Sequence, residues 1–354
     1  MTCTDIRTPA HRPVSAPASP QTPPPHTLCQ QGREQIRLKL NALGQQRIPC
    51  FFLISFDFSR HLLCPLAAMD ERVQFVFPGF RHTRTDHHPL PQGVRQWSAA
   101  PMELAHYART FRTVQEHMAA GDTYLLNLTA STPVACDWSL EQIFHRAQAP
   151  FRLYLQDEFT CFSPERFVRI QDTTIETFPM KGTADATIPG AAAALLANPK
   201  EISEHTMIVD LLRNDLSCVA RRVRVERFRY LESISSGRGR LLQTSSHICG
   251  DLPASWPDQL GDVLCNMLPA GSVSGTPKLK TMEIIKAVEL HERGYFTGVF
   301  GYFDGSSVDS AVLIRFLERT PSGLVFKSGG GLTAESDLVD EYTEMCRKVY
   351  VPVT

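Results

Sequence analysis

The sequence predicts an α+β fold, and three observations carry that expectation. A chain of 354 residues with 43% hydrophobic content can bury one large core or two fused lobes. Four short β-like runs follow one another, Phe151 to Leu155, Glu158 to Ser163, Phe167 to Gln171 and Thr174 to Phe178, separated by turn residues. Amphipathic helices stand apart from them: Met102 to Ala119 carries Leu104, Tyr107, Phe111, Val114 and Met118 at spacings of three and four.

In chain order, residues 1–30 place Pro9, Pro13, Pro17, Pro20 and Pro23 to Pro25 among Ser, Thr and Ala, a composition that predicts a disordered tail. A helix from Gly32 to Leu43 and strands Cys50 to Phe56 and Val73 to Phe77 form a small N-terminal part, residues 31–98. It ends in an exposed loop over Arg81 to Gln96, rich in His, Arg and Pro. The remaining 99–354 form the larger unit. After the helix already named come a strand, Thr123 to Thr132, a helix, Ser139 to Ala147, the four strands, and a helix from Pro199 to Ser217. A helix over Thr276 to Leu290 then leads to strands Phe296 to Phe303 and Ser310 to Glu318. A further strand, Leu324 to Ser328, runs into Gly329-Gly330-Gly331, and a last helix spans Leu338 to Tyr350.

The formal net charge of -1 and pI near 6.9 provide no general field for nucleic acid or an anionic membrane, so an acidic ligand has to be held locally. The ten cysteines form no CxxC pair and sit mostly in apolar runs, which argues for free thiols in a reducing compartment and against zinc. The N-terminus lacks a signal pattern, and Asp57, Arg60 and His61 interrupt the apolar run Cys50 to Leu66. The expected location is the cytoplasm.

Several constellations offer chemistry. Lys181 follows the strand run in Thr177-Phe178-Pro179-Met180-Lys181-Gly182-Thr183, where its amine either extends into solvent or points into a cleft. Glu201 and Glu204 share one helical face, as do Glu341 and Glu344. If the two faces meet they make a hard-oxygen site for a divalent cation, Mg²⁺ first among candidates; otherwise each is a solvated helix face. Gly271-Ser272-Val273-Ser274-Gly275-Thr276-Pro277-Lys278 lacks the spacing of a phosphate loop, and either receives a carboxylate at a helix start or simply caps the helix. Arg315, late in an apolar strand, is expected to meet either an acidic ligand or a structural salt bridge.

Five ordered stretches, EHTMIVDLLRND from Glu204, GSVSGTPK from Gly271, GYFTGVFGY from Gly294, the Gly329 to Gly331 triplet and EYTEMCRK from Glu341, resemble those of chorismate-utilising enzymes of the synthase component I group. The resemblance covers roughly residues 100–354, which it makes a chorismate-binding catalytic domain. It implies two fused sheet-and-helix lobes around one cleft. It also implies Mg²⁺ held by Glu204 and Glu344 with Glu201 and Glu341 beside them, and Arg315, Ser272, Gln243, Phe296 and the backbone of Gly329, Gly330 and Gly331 around chorismate, with Gly182 and Thr183 lining the ring. Gln243, Phe296 and Leu125 depart from the residues common there, His, Tyr and Gln. A lysine at position 181, where anthranilate-forming members carry a small residue, implies the aminodeoxychorismate-forming branch. Lys181, kept neutral by burial, is then the nucleophile and Glu165 the acid/base residue. The rivals are an anthranilate-forming component I and a non-catalytic chorismate-binding subunit. No Gly-x-Cys-x-Gly elbow occurs, so ammonia is expected from a separate glutamine amidotransferase subunit.

Overall fold

The computed structural model describes residues 25–84, 96–236 and 239–352. Most of the predicted tail and the centre of the predicted Arg81 to Gln96 loop lie outside them. Helix α1 (Pro25–Gln45) begins inside the stretch predicted as tail. Strands β1 (Cys50–Ile54), β2 (His61–Pro65), β3 (Val73–Phe77) and β4 (Phe80–His82) follow; β4 occupies the start of the predicted loop. Next come β5 (Trp97–Ala99), α2 (Leu104–Ala119), β6 (Leu125–Cys136) and α3 (Leu140–Arg146). Helix α3 starts where Ser139 and Gln142 exchange side-chain and backbone hydrogen bonds, a capping box that satisfies two otherwise orphaned N–H groups.

The predicted run of four strands is present as β7 (Phe151–Leu155), β8 (Phe159–Ser163), β9 (Arg166–Gln171) and β10 (Thr174–Thr177). A separate strand, β11 (Met180–Asp185), carries Lys181. After α4 (Ala191–Ala197), α5 (Pro199–Ser217) has its predicted bounds: the Asn198 side chain accepts the N–H groups of Lys200 and Glu201, and Pro199 opens the first turn, where its missing N–H costs nothing. A long hairpin, β12 (Arg221–Ser236) and β13 (Gly239–Asp251), leads to α6 (Leu260–Met267), β14 (Gly275–Thr276) and α7 (Lys278–Val288). The chain closes with β15 (Val299–Phe303), β16 (Val308–Val312), β17 (Phe316–Thr320), β18 (Gly323–Leu332) and α8 (Leu338–Arg347).

These strands form two sheets. One runs β11-β13-β10-β9-β16-β15-β1-β2 with β12 beside β13; the other runs β14-β6-β18-β17-β8-β7-β3-β4 with β5 beside β6. Strand β1 is inaccessible along its whole length, and its period of two explains why. Phe51 and Leu53 pack against Phe75, Phe77, Phe151 and Leu153 of the second sheet. Phe52 and Ile54 face Ile36, Leu40, Leu211 and Leu264 on helices α1, α5 and α6. Each such fully buried side chain contributes about 1.5–3 kcal/mol. The outer face of the second sheet is covered by α2, α7 and α8 through Phe111, Val114, Ile284 and Met345, and by α3 through Ile143 and Phe144. The result is helix, sheet, sheet, helix: an α+β fold whose two halves are the expected lobes. No helix among the described residues is long and apolar enough to cross a membrane.

Two predicted elements are corrected. The apolar run Ser310 to Glu318 is not one strand: β16 belongs to the first sheet and β17 to the second. Arg315 sits in the joint between them with φ +54°, so it is not a strand residue at all. Gly329, Gly330 and Gly331 are not a loop after a strand but part of β18, paired with Thr129, Leu128 and Asn127 of β6.

Candidate active site

Lys181 is aimed by a β-bulge. Along β11 and β13, Lys181 pairs with Thr244 and Thr183 with Gln243, leaving Gly182 as the extra residue. Gly182 has φ +75°, and a Cβ there would lie 2.6 Å from a Glu201 carboxylate oxygen and 3.0 Å from Leu195 Cδ1. Only glycine meets both demands. The Lys181 carbonyl accepts the Thr244 hydroxyl, and its ammonium donates to Glu204 Oε2 at 2.9 Å.

The predicted spacing puts Glu201 and Glu204 on one face of α5, and Glu341 and Glu344 on one face of α8. Burial raises the pKa of Glu201, with the Glu204 charge adding to it. Glu341, 7% exposed, is raised first by burial and then by Glu344 and by Glu204 on the other helix, against a hydrogen bond from Ser336 at 2.9 Å. The two helices therefore bring their carboxylates close enough to repel. Glu344 has a side chain 58% exposed; the desolvation it meets pushes its pKa upward, but Lys348, at 2.7 Å, with Lys181 and Lys200 beyond it, leaves it below the usual range. Among the described residues no three His, Cys, Asp or Glu side chains converge as a metal-ligand set: Lys181 engages Glu204 and Lys348 engages Glu344. The donors are nonetheless hard oxygens with surplus negative charge, which fits a cation such as Mg²⁺.

The sequence reading takes Lys181 as neutral through burial. Burial is indeed the largest influence and favours the neutral amine, but Glu204, Glu344 and Glu341 outweigh it and the pKa is raised. Without a cation among the glutamates the lysine is an ammonium.

Glu165 lies between β8 and β9. Burial raises its pKa, opposed by a hydrogen bond from Ser272 and by the charges of Lys181, Lys348 and Arg315. Burial lowers the Arg315 pKa, with Tyr350, Glu344 and Glu165 acting the other way. The Arg315 guanidinium lies 5.6 Å from the Tyr350 ring centroid, with Glu344 and Glu165 acting on it from beyond ion-pair distance among the described residues. The glycine strand lies between the two lysines: a Cβ on Gly330 would be 3.5 Å from Glu341 and 3.7 Å from Lys348 Nζ, and one on Gly331 3.9 Å from Lys181 Nζ.

A cavity of about 220 Å³ lined by Lys200, Ser203, Glu204 and Met207 on one side and Thr333 and Glu335 on the other meets the predicted site residues only at Glu204. A larger groove of about 710 Å³ along Met207, Asp210 and Asn214 contains none of the predicted site residues. Phe296 is not brought to the cluster: it is 2% exposed in the core between the sheets, 5.8 Å from Phe316. Lys348, which also donates to the Gly329 carbonyl at 2.8 Å, was not singled out from sequence. Its position four residues after Glu344 is the signal that points to it.

A family profile described as chorismate binding enzyme matches residues 31–354. The chain belongs to this family. It is 48% identical over 314 residues to an uncharacterized PabA-like protein of Haemophilus influenzae, covering 88% of this chain and 95% of that protein. It is 34% identical over 267 residues to aminodeoxychorismate synthase component 1 of Klebsiella aerogenes, covering 71% of this chain and 57% of that one. The fold matches that of the menaquinone-specific isochorismate synthase of Escherichia coli, with TM-score 0.68 at 16% identity over 89% of this chain and 80% of that one. It also matches anthranilate synthase component I of Streptococcus pneumoniae, with TM-score 0.60 at 23% identity over 72% and 58%. In this chorismate binding enzyme a two-sheet scaffold places Glu204 against Lys181, Glu344 against Lys348 and a glycine strand between the two lysines.

Proposed function

We propose that this chain is an aminodeoxychorismate synthase component I, converting chorismate and ammonia to 4-amino-4-deoxychorismate in the cytoplasm for p-aminobenzoate and folate synthesis. The supporting observation is Lys181, half-buried at a bulge beside Glu204 and one glycine strand from Lys348. The Lys181 amine attacks ring carbon C2 as the C4–O bond breaks, and Glu165 supplies the proton with which the hydroxyl leaves as water. Ammonia then bonds to C4 as the C2–N bond to Lys181 breaks, and the proton shed by the new amine returns the site to its starting state. Attack requires the neutral amine: burial favours it, but the charges of Glu204, Glu344 and Glu341 outweigh burial and hold the ammonium, so a cation among the glutamates would have to offset them before the amine can lose its proton.

Mg²⁺ held by Glu204 and Glu344, with Glu201 and Glu341 beside them, would supply a charge to fix the ring carboxylate. Arg315, left without a carboxylate partner, suits the enolpyruvyl carboxylate as a bidentate fork. The β18 glycines and Thr183 line the ring, and a separate glutamine amidotransferase subunit supplies ammonia.

The pure chain incubated with chorismate, Mg²⁺ and an ammonium salt tests this directly. Mass spectrometry should find a product that retains the enolpyruvyl group. A product that has lost pyruvate would make the chain an anthranilate-forming enzyme instead, and unconsumed chorismate would make it a binding subunit.

A further inference from the structure

Ser272 does not stand free to meet a ligand. Its hydroxyl donates to Glu165 Oε1, a residue 107 positions away in the chain. Both ends of this contact are held by their own backbones. Glu165 donates its N–H to Ser163 Oγ at 3.1 Å and accepts the Val312 N–H at 3.1 Å. Ser272 lies in the tight turn Gly271–Val273, which is gripped on either side. The Gly271 N–H donates to Asp215 Oδ2 at 3.0 Å, and Asp215, 5% exposed, is paired with Lys278 at 2.7 Å. A Cβ on Gly271 would come within 2.7 Å of the same Asp215 oxygen, so the turn can approach this closely only as glycine. The Val273 carbonyl accepts from Arg293 at 2.8 Å, and Arg293 is paired with Glu289 at 2.6 Å with both side chains 3% exposed. A buried ion pair, Arg293–Glu289, is costly to desolvate, and it and the half-buried Lys278–Asp215 pair both terminate on the backbone of a three-residue turn.

We propose that Ser272 is a positioning residue for Glu165: its clamped hydroxyl donates to one carboxylate oxygen, so that the other oxygen holds the proton delivered to the departing C4 hydroxyl. This rests on the reading of Glu165 as the acid. A carboxylic acid has one proton and two oxygens, and a fixed donor on Oε1 leaves Oε2 as the proton-bearing atom. The charged groups that bear on Glu165 are Lys181 from β11, Lys348 following α8 and Arg315 from the β16–β17 joint. All three favour the carboxylate, as does Ser272, and burial favours the acid.

The sign of the effect follows. Removing the Ser272 donation takes away support for the carboxylate, so the Glu165 pKa rises. An acid works only while protonated, so the alkaline limb of the kcat/KM profile moves to higher pH. The plateau kcat falls, about tenfold, because the proton is no longer confined to one oxygen.

The experiment is the pH profile of chorismate amination by the full chain and its Ser272→Ala, Ser272→Cys and Ser272→Thr variants, with Glu165→Gln as the reference that lacks the titrating acid. The expected result is an alkaline limb displaced upward in Ser272→Ala and Ser272→Cys, near-normal in Ser272→Thr and absent in Glu165→Gln, with KM for chorismate little changed. A raised KM with the limb unmoved in Ser272→Ala and Ser272→Cys would make the serine a ligand contact and overturn the proposal. A limb that persists in Glu165→Gln would overturn the reading of Glu165 itself, and this inference with it.

Discussion

Lys181 donates a hydrogen bond to Glu204 at 2.9 Å, and this contact ties the bulged strand β11 to helix α5. One side chain is thereby both the proposed nucleophile and the partner of a proposed metal ligand.

Lys181→Ala should therefore lower turnover roughly hundredfold, the low end of what a positioned catalytic group supplies, while chorismate binding changes little. Excess ammonia should restore part of the loss, being itself an amine nucleophile. Wild-type protein quenched with chorismate and Mg²⁺ in the absence of ammonia should carry a ring adduct on the peptide containing Lys181. Near-normal turnover in Lys181→Ala with no adduct in the wild type would leave direct attack by ammonia as the mechanism.

Gly182→Ala should destabilise the fold by about 1–3 kcal/mol, the cost of holding a side chain at a sparsely populated backbone conformation. It should also lower activity, because the new Cβ meets the Glu201 carboxylate. Urea unfolding of the two proteins measures the first effect. A change within the error of the extrapolation would show that the bulge relaxes around the methyl group.

Glu204→Gln and Glu344→Gln should each raise the Mg²⁺ concentration needed for half-maximal amination by at least about tenfold. A chelator titration of the wild type should abolish turnover reversibly. If neither variant alters the magnesium dependence, the glutamates do not hold the ion.

Arg293→Ala should cost about 3–5 kcal/mol, since it strands Glu289 without its partner in a site 3% exposed. Replacing both residues by apolar ones should cost less than the single change, and chemical denaturation of the three proteins decides it. Equal losses would mean that the guanidinium acts through its backbone acceptors, Val273 and Asn127, and not through the pair.

Local signals were legible and tertiary ones were not. Helix α5 has its predicted bounds because Pro199 at its first turn and the apolar period along it agree. The two acidic pairs follow from helical spacing alone. The hairpin β12–β13 has no counterpart among the predicted elements: its first strand is a mostly exposed edge rich in arginine, and only the short alternation of Val223 and Val225, which pack on the core, marks it. Three consecutive glycines read as a loop, yet pairing with β6 on the far side of the sequence draws them into a strand. The run Ala311 to Phe316 is continuously apolar up to Arg315, and nothing in that pattern reports that the chain changes sheets there. The bond from Ser272 to Glu165 joins two stretches that only the packed sheets bring together.

Strand β1 also sets an order of events during synthesis. Its outer neighbour β2 follows it in the chain, but its inner neighbour is β15, with Cys50 opposite Phe303 and Ile54 opposite Val299. Until those last residues leave the ribosome, Phe51, Phe52 and Leu53 have no completed sheet to enter, and the first sheet stands open at its middle. The nascent chain thus carries one of its most apolar segments paired on one edge only, with β2, for most of its translation, and the exposed edge disappears once β15 closes the gap.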